Sequence, residues 1–429
     1  MPILLKELNN ILVSMETEKE KKERILEMLK RGEIKPYQIG ELAGDENLAT
    51  EIRRAFLERK YSIKLEKIAE HIIDFNDANN RNIENAIGAV QVPLGFVEIQ
   101  VNGEYLNGLK PLFLATTEGR LVAGINRGAS AINKSGGATT RIIKSGMTRS
   151  VILEFDSVKD TLNAISYISS EEGKEVIGNA FKEKSKRISL NNIEMFTEGR
   201  FLFIRYSADT QAAMGMNMLT IASTHATEKL VEKLREKGIE ARFISESGNM
   251  CTDKKPSSIN LIEGRGVSIV AEALIKKEIL ESYFKVDAKS IEELNYAKNH
   301  IGSTLASAAH NAHVANVLAA TFIAYGQDVA HIVDGSMAIV DAKARGEDLY
   351  ISAYIPALEV GTFGGGTGRE TAKELLIASG VYGEGDETGV SKYMLAELIA
   401  SGVLAGELNL LAAEAGKELS IAHASLKRG

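Results

Sequence analysis

Apolar positions first recur at helical spacing near the start of the chain, where Ile25, Leu26, Met28 and Leu29 share a face. Thr17 and Glu20 form a capping box ahead of them and Gly32 ends the run, which predicts a surface helix. Up to residue 80 the pattern continues as short helices rich in Lys and Glu, read as a solvated, partner-packing segment without chemistry. From Asn82 the texture changes to Gly, Ala, Thr and Val, and residues 90–101 read as extended chain around Pro93. A separate pattern follows: a strand at 151–155, a helix at 158–168, two strands ending at 200–206, a helix at 218–237 and a strand at 241–245. That order is a split βαβ, ferredoxin-like unit. Long Ala- and Gly-rich helices are expected at 303–325 and 391–424, with the most apolar stretch, 316–323, buried. The expected fold class is α+β (mixed α/β), in three parts. Residues 1–80 form a small helical segment, 81–149 with 246–429 a large helical and mixed domain, and 150–245 an inserted ferredoxin-like domain.

Composition narrows the classes of function. A formal net charge of -7 disfavours nucleic acid as the main partner, because binding phosphates needs a cationic surplus on one face. The single cysteine, Cys251, can form neither an internal disulfide nor a cysteine zinc cluster, which suits a reducing cytoplasm. The N-terminus lacks the apolar core of a signal peptide, and no stretch reads as long and apolar enough to span a bilayer. A cytoplasmic protein with no membrane partner is expected.

Four runs could carry chemistry. Glu118, in Thr116-Thr117-Glu118-Gly119, sits among small residues and suits a proton donor, or is a surface Glu in a turn. The loop from Ser247 through Asp253-Lys254-Lys255-Pro256 could present an ammonium group to a developing oxyanion, or be a solvated turn. His313 and Asn316 share a helix face ahead of Asp328. His310 and His313 have the spacing of metal ligands, but neither a His-Glu-x-x-His motif nor a cysteine partner accompanies them, and no metal is expected. His423, alone, reads as a capping or surface residue. The glycine-rich run 361–368 allows close backbone approach to phosphate, yet it is not a Rossmann fingerprint.

Together these runs resemble the hydroxymethylglutaryl-CoA reductase family in its class I, soluble archaeal-type form. The resemblance spans almost the whole chain: Glu84-Asn85-Ala86-Ile87-Gly88, the run around Glu118, Met147-Thr148-Arg149, Met214 to Met218, Cys251 to Pro256, His313-Val314-Ala315-Asn316, Gly326-Gln327-Asp328, Gly361 to Thr367 and His423. It implies an NADPH-dependent oxidoreductase that makes mevalonate from hydroxymethylglutaryl-CoA, with Glu118, Lys254, Asp328 and His423 as the catalytic set. It further implies that Arg149, Ser247, Asp253, Lys255, Lys298, His313 and Asn316 contact the acyl moiety. Glu84, Asn85, Asn126 and Arg127 would meet CoA. Ser185, Lys186, Arg187, Met216, Asn217, Gly365, Gly366 and Thr367 would meet the cofactor, with Lys186 and Arg187 at the 2′-phosphate. The family builds its site across a homodimer, often paired into tetramers. Ala212 stands where class I relatives usually have Asp. Two other readings stay open: the oxidative direction with NAD, and a catalytically silent CoA-binding homologue.

Overall fold

The computed structural model describes residues 17–62, 64–66, 69–79 and 81–417. The chain divides into two compact units, Met1–Val92 and Pro93–Gly429. In the first, helix α1 (Glu18–Lys30) starts at a reciprocal capping box between Thr17 and Glu20. Its Ile25, Leu26 and Leu29 pack with Ile39, Leu48, Ala49 and Ile52, the last three carried by α2 (Glu46–Tyr61). Asp45 caps α2 by accepting from Leu48 N at 2.7 Å.

The second unit is built on a mixed sheet. Its strands are β1 (Leu94–Asn102), β2 (Asn107–Ala115), β3 (Ala138–Glu154), β4 (Ser189–Glu198), β5 (Phe201–Asp209), β6 (Arg242–Ser245), β7 (Gly266–Ile275), β8 (Ile339–Arg345) and β9 (Asp348–Leu358). The main path runs β2–β1–β3–β7–β9–β8. The segment expected as a short strand at 151–155 is the far end of the 17-residue β3. Its first half pairs with β7 and, in parallel, with β1, whereas its second half pairs antiparallel with β5 and β6. One strand therefore belongs to two ladders, and the second runs β4–β5–β3–β6. Three helices belong to the same stretch of chain: α3 (Val158–Ser169), α4 (Glu171–Lys184) and α5 (Met216–Glu236). They share a separate apolar core that includes Val151, Leu153, Ile177, Phe181, Leu202, Leu219 and Leu230. The helix expected at 158–168 is α3, and α4, which was not expected, follows it after Ser170, which is extended (φ -70, ψ 161) and caps α4 by accepting from Gly173 N.

The single helix expected at 303–325 is broken. A short turn, Ser303–Ala306, is followed by irregular chain and then by α6 (Val314–Ala324). The backbone N–H groups of Ala312 and His313 donate to the buried Glu407 carboxylate at 2.8 and 2.7 Å, and Asn311 accepts from Val314 N. Those bonds replace helical ones and reset the chain at the start of α6.

Helix α7 (Val390–Ala415) is long and apolar enough to cross a membrane, contrary to the expectation that no stretch is. Its side chains are instead buried inside the fold over most of its length, so it is a core helix. Two of its carboxylates serve as acceptors: Glu397 takes the N–H groups of Glu104, Tyr105 and Leu106, and Glu407 those already described. The helix Leu121–Lys134 crosses it so closely at Gly128 that a Cβ there would lie 1.9 Å from the Ala405 carbonyl oxygen. Gly128→Ala should therefore destabilise the protein by about 1–3 kcal/mol, despite the better helix propensity of Ala. Urea unfolding measures this, and an unchanged midpoint would mean the two helices separate freely.

Candidate active site

Residues 246–257 link β6 to the short helix Ser258–Glu263 and carry the first candidates. The loop is held in a costly backbone: Asn249, Thr252 and Lys254 have φ of 60, 50 and 57°. Gly248 is required where the loop crosses β3, because a Cβ would sit 2.7 Å from Ile152 Cγ1. Asp334 fixes the turn by accepting from Lys254 N at 2.9 Å and Lys255 N at 3.2 Å, and Ser257 N meets Met337 Sδ. So anchored, the loop brings Lys254 Nζ to 2.8 Å from Asp328 Oδ2. Lys255 Nζ folds back onto the Asp253 carbonyl.

Asp328 follows α6 through Gly326 and Gln327, and its side chain accepts from Ala330 N at 3.1 Å. Both members of the ion pair stay more than a third exposed, within reach of a substrate. The hydrogen bond to Asp328 raises the Lys254 pKa against partial burial. Burial pushes Asp328 up, but the bonds from Lys254 and Ala330 outweigh it and hold the carboxyl below its ordinary value. Lys254 is thus a persistent, oriented cation.

At the other end of α6, Asn316 Nδ2 donates to Glu118 Oε1 at 3.2 Å, and Glu118 N donates to Thr116 Oγ1. Glu118 is exposed, not enclosed by the small residues around it in sequence. His313 precedes α6, and its Nε2 is buried without a hydrogen-bond partner, facing Gly406. Lys298 binds both carboxylate oxygens of Glu414, at 2.6 and 2.5 Å. Arg149 Nε donates to the Glu246 carbonyl, and Ser247 is exposed beside it. Arg127 donates to the Tyr283 carbonyl and lies over the Phe284 ring, while Asn126 is exposed. Glu84 and Asn85 are exposed residues of the first unit. His423 lies outside the described residues.

A cavity of 410 Å³, in the size range of small-molecule sites, opens where three runs converge. Arg187, Met216, Asn217, Gly364, Gly365 and Asp386 are among its lining residues. Close approach needs glycine: a Cβ on Gly361 would lie 2.4 Å from Met214 N, and Thr362 N donates to the Ala212 carbonyl at 2.8 Å. The 21-residue α5 begins at this cavity with Gly215 as an N-cap without a side-chain bond, so its first amides are free to meet anionic oxygens. These features fit a dinucleotide. Lys186 is exposed beside Arg187, whose N–H donates to Ser185 Oγ. Gly366 packs against the Gly326 backbone, and Thr367 is buried, donating to the Gly364 carbonyl.

Sequence reasoning missed the charged cluster beneath the Lys254 loop. Arg265, His331, Asp334 and Glu359 are fully or almost fully buried. Arg265 reaches Glu359 at 2.5 Å, Asp253 at 3.0 Å and Asp334 at 3.7 Å, while His331 Nδ1 lies 3.3 Å from Asp334 Oδ2 and against Glu359 Oε2. His331, Asp334 and Glu359 are spaced closely enough to hold a metal ion, but the cation among them is the guanidinium. Only His331 and Asp334 share a turn, at i,i+3, while Arg265 and Glu359 arrive from distant parts of the chain, so spacing does not announce the cluster.

The model of the hydroxymethylglutaryl-coenzyme A reductase family matches residues 49–428. The chain is 44% identical over 407 residues to the 3-hydroxy-3-methylglutaryl-coenzyme A reductase of Methanocaldococcus jannaschii, covering 94% of this chain and 98% of that one. It is 43% identical over 410 residues to the Pyrococcus abyssi enzyme of the same name, covering 95% and 99%. Among solved structures, a Streptococcus pneumoniae 3-hydroxy-3-methylglutaryl-coenzyme A reductase aligns with a TM-score of 0.59 at 20% identity, over 94% of this chain and 98% of that one. A class II Streptococcus pneumoniae structure bound to NADPH aligns at 0.57, with 20% identity and the same coverage, and at this identity both show shared fold.

The cavity rim allows a pH prediction. Asp386 accepts from the N–H groups of Thr388, Gly389 and Ser391 and from Thr388 Oγ1. Burial pushes its pKa up, but these donors hold the carboxyl far below its usual range. A depressed folded pKa means that its stabilisation is complete above ~3.9, shrinks as pH falls below that, and is gone below the folded value. The difference in melting temperature between the native protein and Asp386→Asn should be constant above about pH 5 and shrink below about pH 4. A difference that grows on acidification would contradict the assignment.

Proposed function

Because the chain belongs to the hydroxymethylglutaryl-coenzyme A reductase family, we propose that it reduces hydroxymethylglutaryl-CoA to mevalonate and CoA with NADPH, as a class I enzyme. The observation that carries this reading is the oriented Lys254 cation, paired with Asp328 at 2.8 Å on a loop locked by Asp334. A bound nicotinamide supplies a hydride in each of two reduction steps. Lys254 opposes the negative charge that grows on the thioester oxygen, and Asp328 keeps the ammonium charged and aimed. When the hemithioacetal collapses, His423 as imidazolium protonates the departing CoA thiolate, an assignment that rests on resemblance. Glu118, steadied by Asn316, supplies the proton as the aldehyde becomes an alcohol.

Arg149, Ser247, Asp253, Lys255, Lys298, His313 and Asn316 would hold the acyl group. The cations suit its free carboxylate, and the place of His313 rests on the resemblance. Glu84, Asn85, Asn126 and Arg127 would meet CoA. Residues 150–245 would carry the cofactor as a ferredoxin-like insertion, a reading supported by the strand order β4–β5–β3–β6. Arg187 at the cavity, with Lys186 beside it, favours a 2′-phosphate and so NADPH. A homodimer or tetramer fits the exposed apolar strip of Leu94, Phe96 and Leu109 on one face of the β1–β2 hairpin. A cytoplasmic location fits the free, buried Cys251.

Purified protein should oxidise NADPH with hydroxymethylglutaryl-CoA and not with acetyl-CoA. Lys254→Ala should lower kcat by about 10²–10³-fold, the scale of losing an oxyanion partner. A folded protein that consumes neither NADPH nor NADH with this thioester would overturn the reading. Arg187→Ala should raise the KM for NADPH about tenfold and leave that for NADH nearly unchanged, as expected for one charge-assisted phosphate contact. Equal effects on both cofactors would exclude Arg187 from the 2′-phosphate.

A further inference from the structure

Two carboxylates hold Lys254. Asp334 binds its backbone N–H and so keeps the left-handed turn, while Asp328 binds its ammonium. His331 faces both: Nδ1 lies 3.3 Å from Asp334 Oδ2 and against Glu359 Oε2, and Nε2 lies 3.7 Å from Asp328 Oδ2. The other charged groups around the ring are Asp253, 3.8 Å from Nδ1 on the loop, and Arg265, 3.4 Å from Nδ1 at the head of β7. The cluster thus holds four carboxylates, Asp253, Asp328, Asp334 and Glu359, against two lasting cations, Lys254 and Arg265. With a neutral imidazole, two negative charges would be uncompensated in a largely buried volume. An imidazolium leaves one, so charge balance favours the protonated ring.

We propose that His331, as an imidazolium, is a positioning residue for Lys254, clamping Asp334 and Glu359 through Nδ1 while its Nε2 faces Asp328. This inference rests on the reductase reading, in which Lys254 meets the thioester oxygen. A neutral ring loses its Nδ1 or its Nε2 proton. Either Asp334 and Glu359 or Asp328 then face a lone pair, and the carboxylates that fix the lysine backbone and ammonium rearrange. The chemistry itself stays with Lys254, and His331 touches no reacting atom.

Burial alone would lower the His331 pKa, but hydrogen bonds to Asp334 and Glu359 and the charge of Glu359 outweigh it and raise it to about 9. Burial pushes the Glu359 carboxyl up as well, against the charge of the guanidinium at 2.5 Å and the hydrogen bond from the ring. For a raised folded pKa, the clamp is complete below the unfolded value of ~6.5 and is lost as pH rises through about 9. Lys254 titrates above its own ordinary value, and the His423 step is common to the native enzyme and its variants, so a limb that moves with His331 or Glu359 belongs to the clamp.

The test is the pH dependence of kcat with hydroxymethylglutaryl-CoA and NADPH from pH 6 to 10.5. The native enzyme should lose turnover through about pH 9. His331→Gln keeps a donor and cannot titrate, so its plateau kcat should fall about tenfold, KM should change less than about twofold, and the alkaline limb should move up by at least about one pH unit. Glu359→Gln removes a partner of the imidazolium, so its limb should move to lower pH. That second variant decides the matter if His331→Gln fails to fold by circular dichroism. An unchanged plateau or limb in folded His331→Gln, or an unchanged limb in Glu359→Gln, overturns the inference while leaving the reductase reading intact. A native enzyme inactive on hydroxymethylglutaryl-CoA overturns both, and only that outcome touches the reductase reading.

Discussion

A guanidinium stripped of water must be given carboxylates in its place, and Arg265, with no exposed side-chain surface, imposes that demand on the whole second unit. Glu359 comes from the end of β9, Asp334 from the turn after α6 and Asp253 from the loop after β6. None of these elements can shift without leaving a buried charge uncompensated, which costs several kcal/mol once one partner is withdrawn. The cost has a use. Asp334 spends its two oxygens on the amides of Lys254 and Lys255, so the cluster that neutralises Arg265 also sets the backbone from which the ammonium projects. A loop with three left-handed non-glycine residues would not keep that shape unaided.

The runs around the 410 Å³ cavity depend on the opposite device, the absence of side chains. Gly361 lies on the Met214 amide, Gly366 on the Gly326 carbonyl, and Gln327 bridges the runs by donating to the Gly361 carbonyl and accepting its N–H. Gln327 immediately precedes Asp328, so the residue that ties down the glycine run and the partner of Lys254 are neighbours in one turn. This covalent adjacency ties the glycine run to the Lys254–Asp328 pair more tightly than packing alone would.

The sequence was legible where local pattern and structure share a period. The capping box of α1, the helix ending near Glu236 and the strand order across 151–245 all follow from spacing. It was illegible where distant groups capture the backbone. The amides at 312 and 313 leave the helical pattern because Glu407, almost a hundred residues on, accepts them. The long β3 was read only at its buried end, since its first half alternates weakly while pairing with two strands. In the site, Lys254 and Asp328 could be named from motif resemblance, but Arg265, His331 and Glu359 could not be found from spacing. A buried charge looks like a surface charge until its partners are known.

The Ala at position 212 follows from the same accounting of charge. Ala212 is buried, its carbonyl taking the Thr362 N–H and hydroxyl, and a Cβ on Gly383 would come to 3.0 Å from its own. Nearby, Lys392 is almost fully buried and pairs with Asp209 at 3.4 Å, and it also feels the charge of Asp386. Burial pulls the Lys392 pKa down against both carboxylates, so this cation is already poorly solvated. An Asp at 212 would add a further carboxylate to a region with one buried ammonium. Without a further cation that charge would stay unpaired, at a cost larger than a small residue incurs by filling the space. Alanine therefore suits the charges this chain keeps at Asp209, Asp386 and Lys392. Of the carboxylates close to the cavity, Asp386 and Glu387 stand on its lining and Asp209 turns toward Lys392.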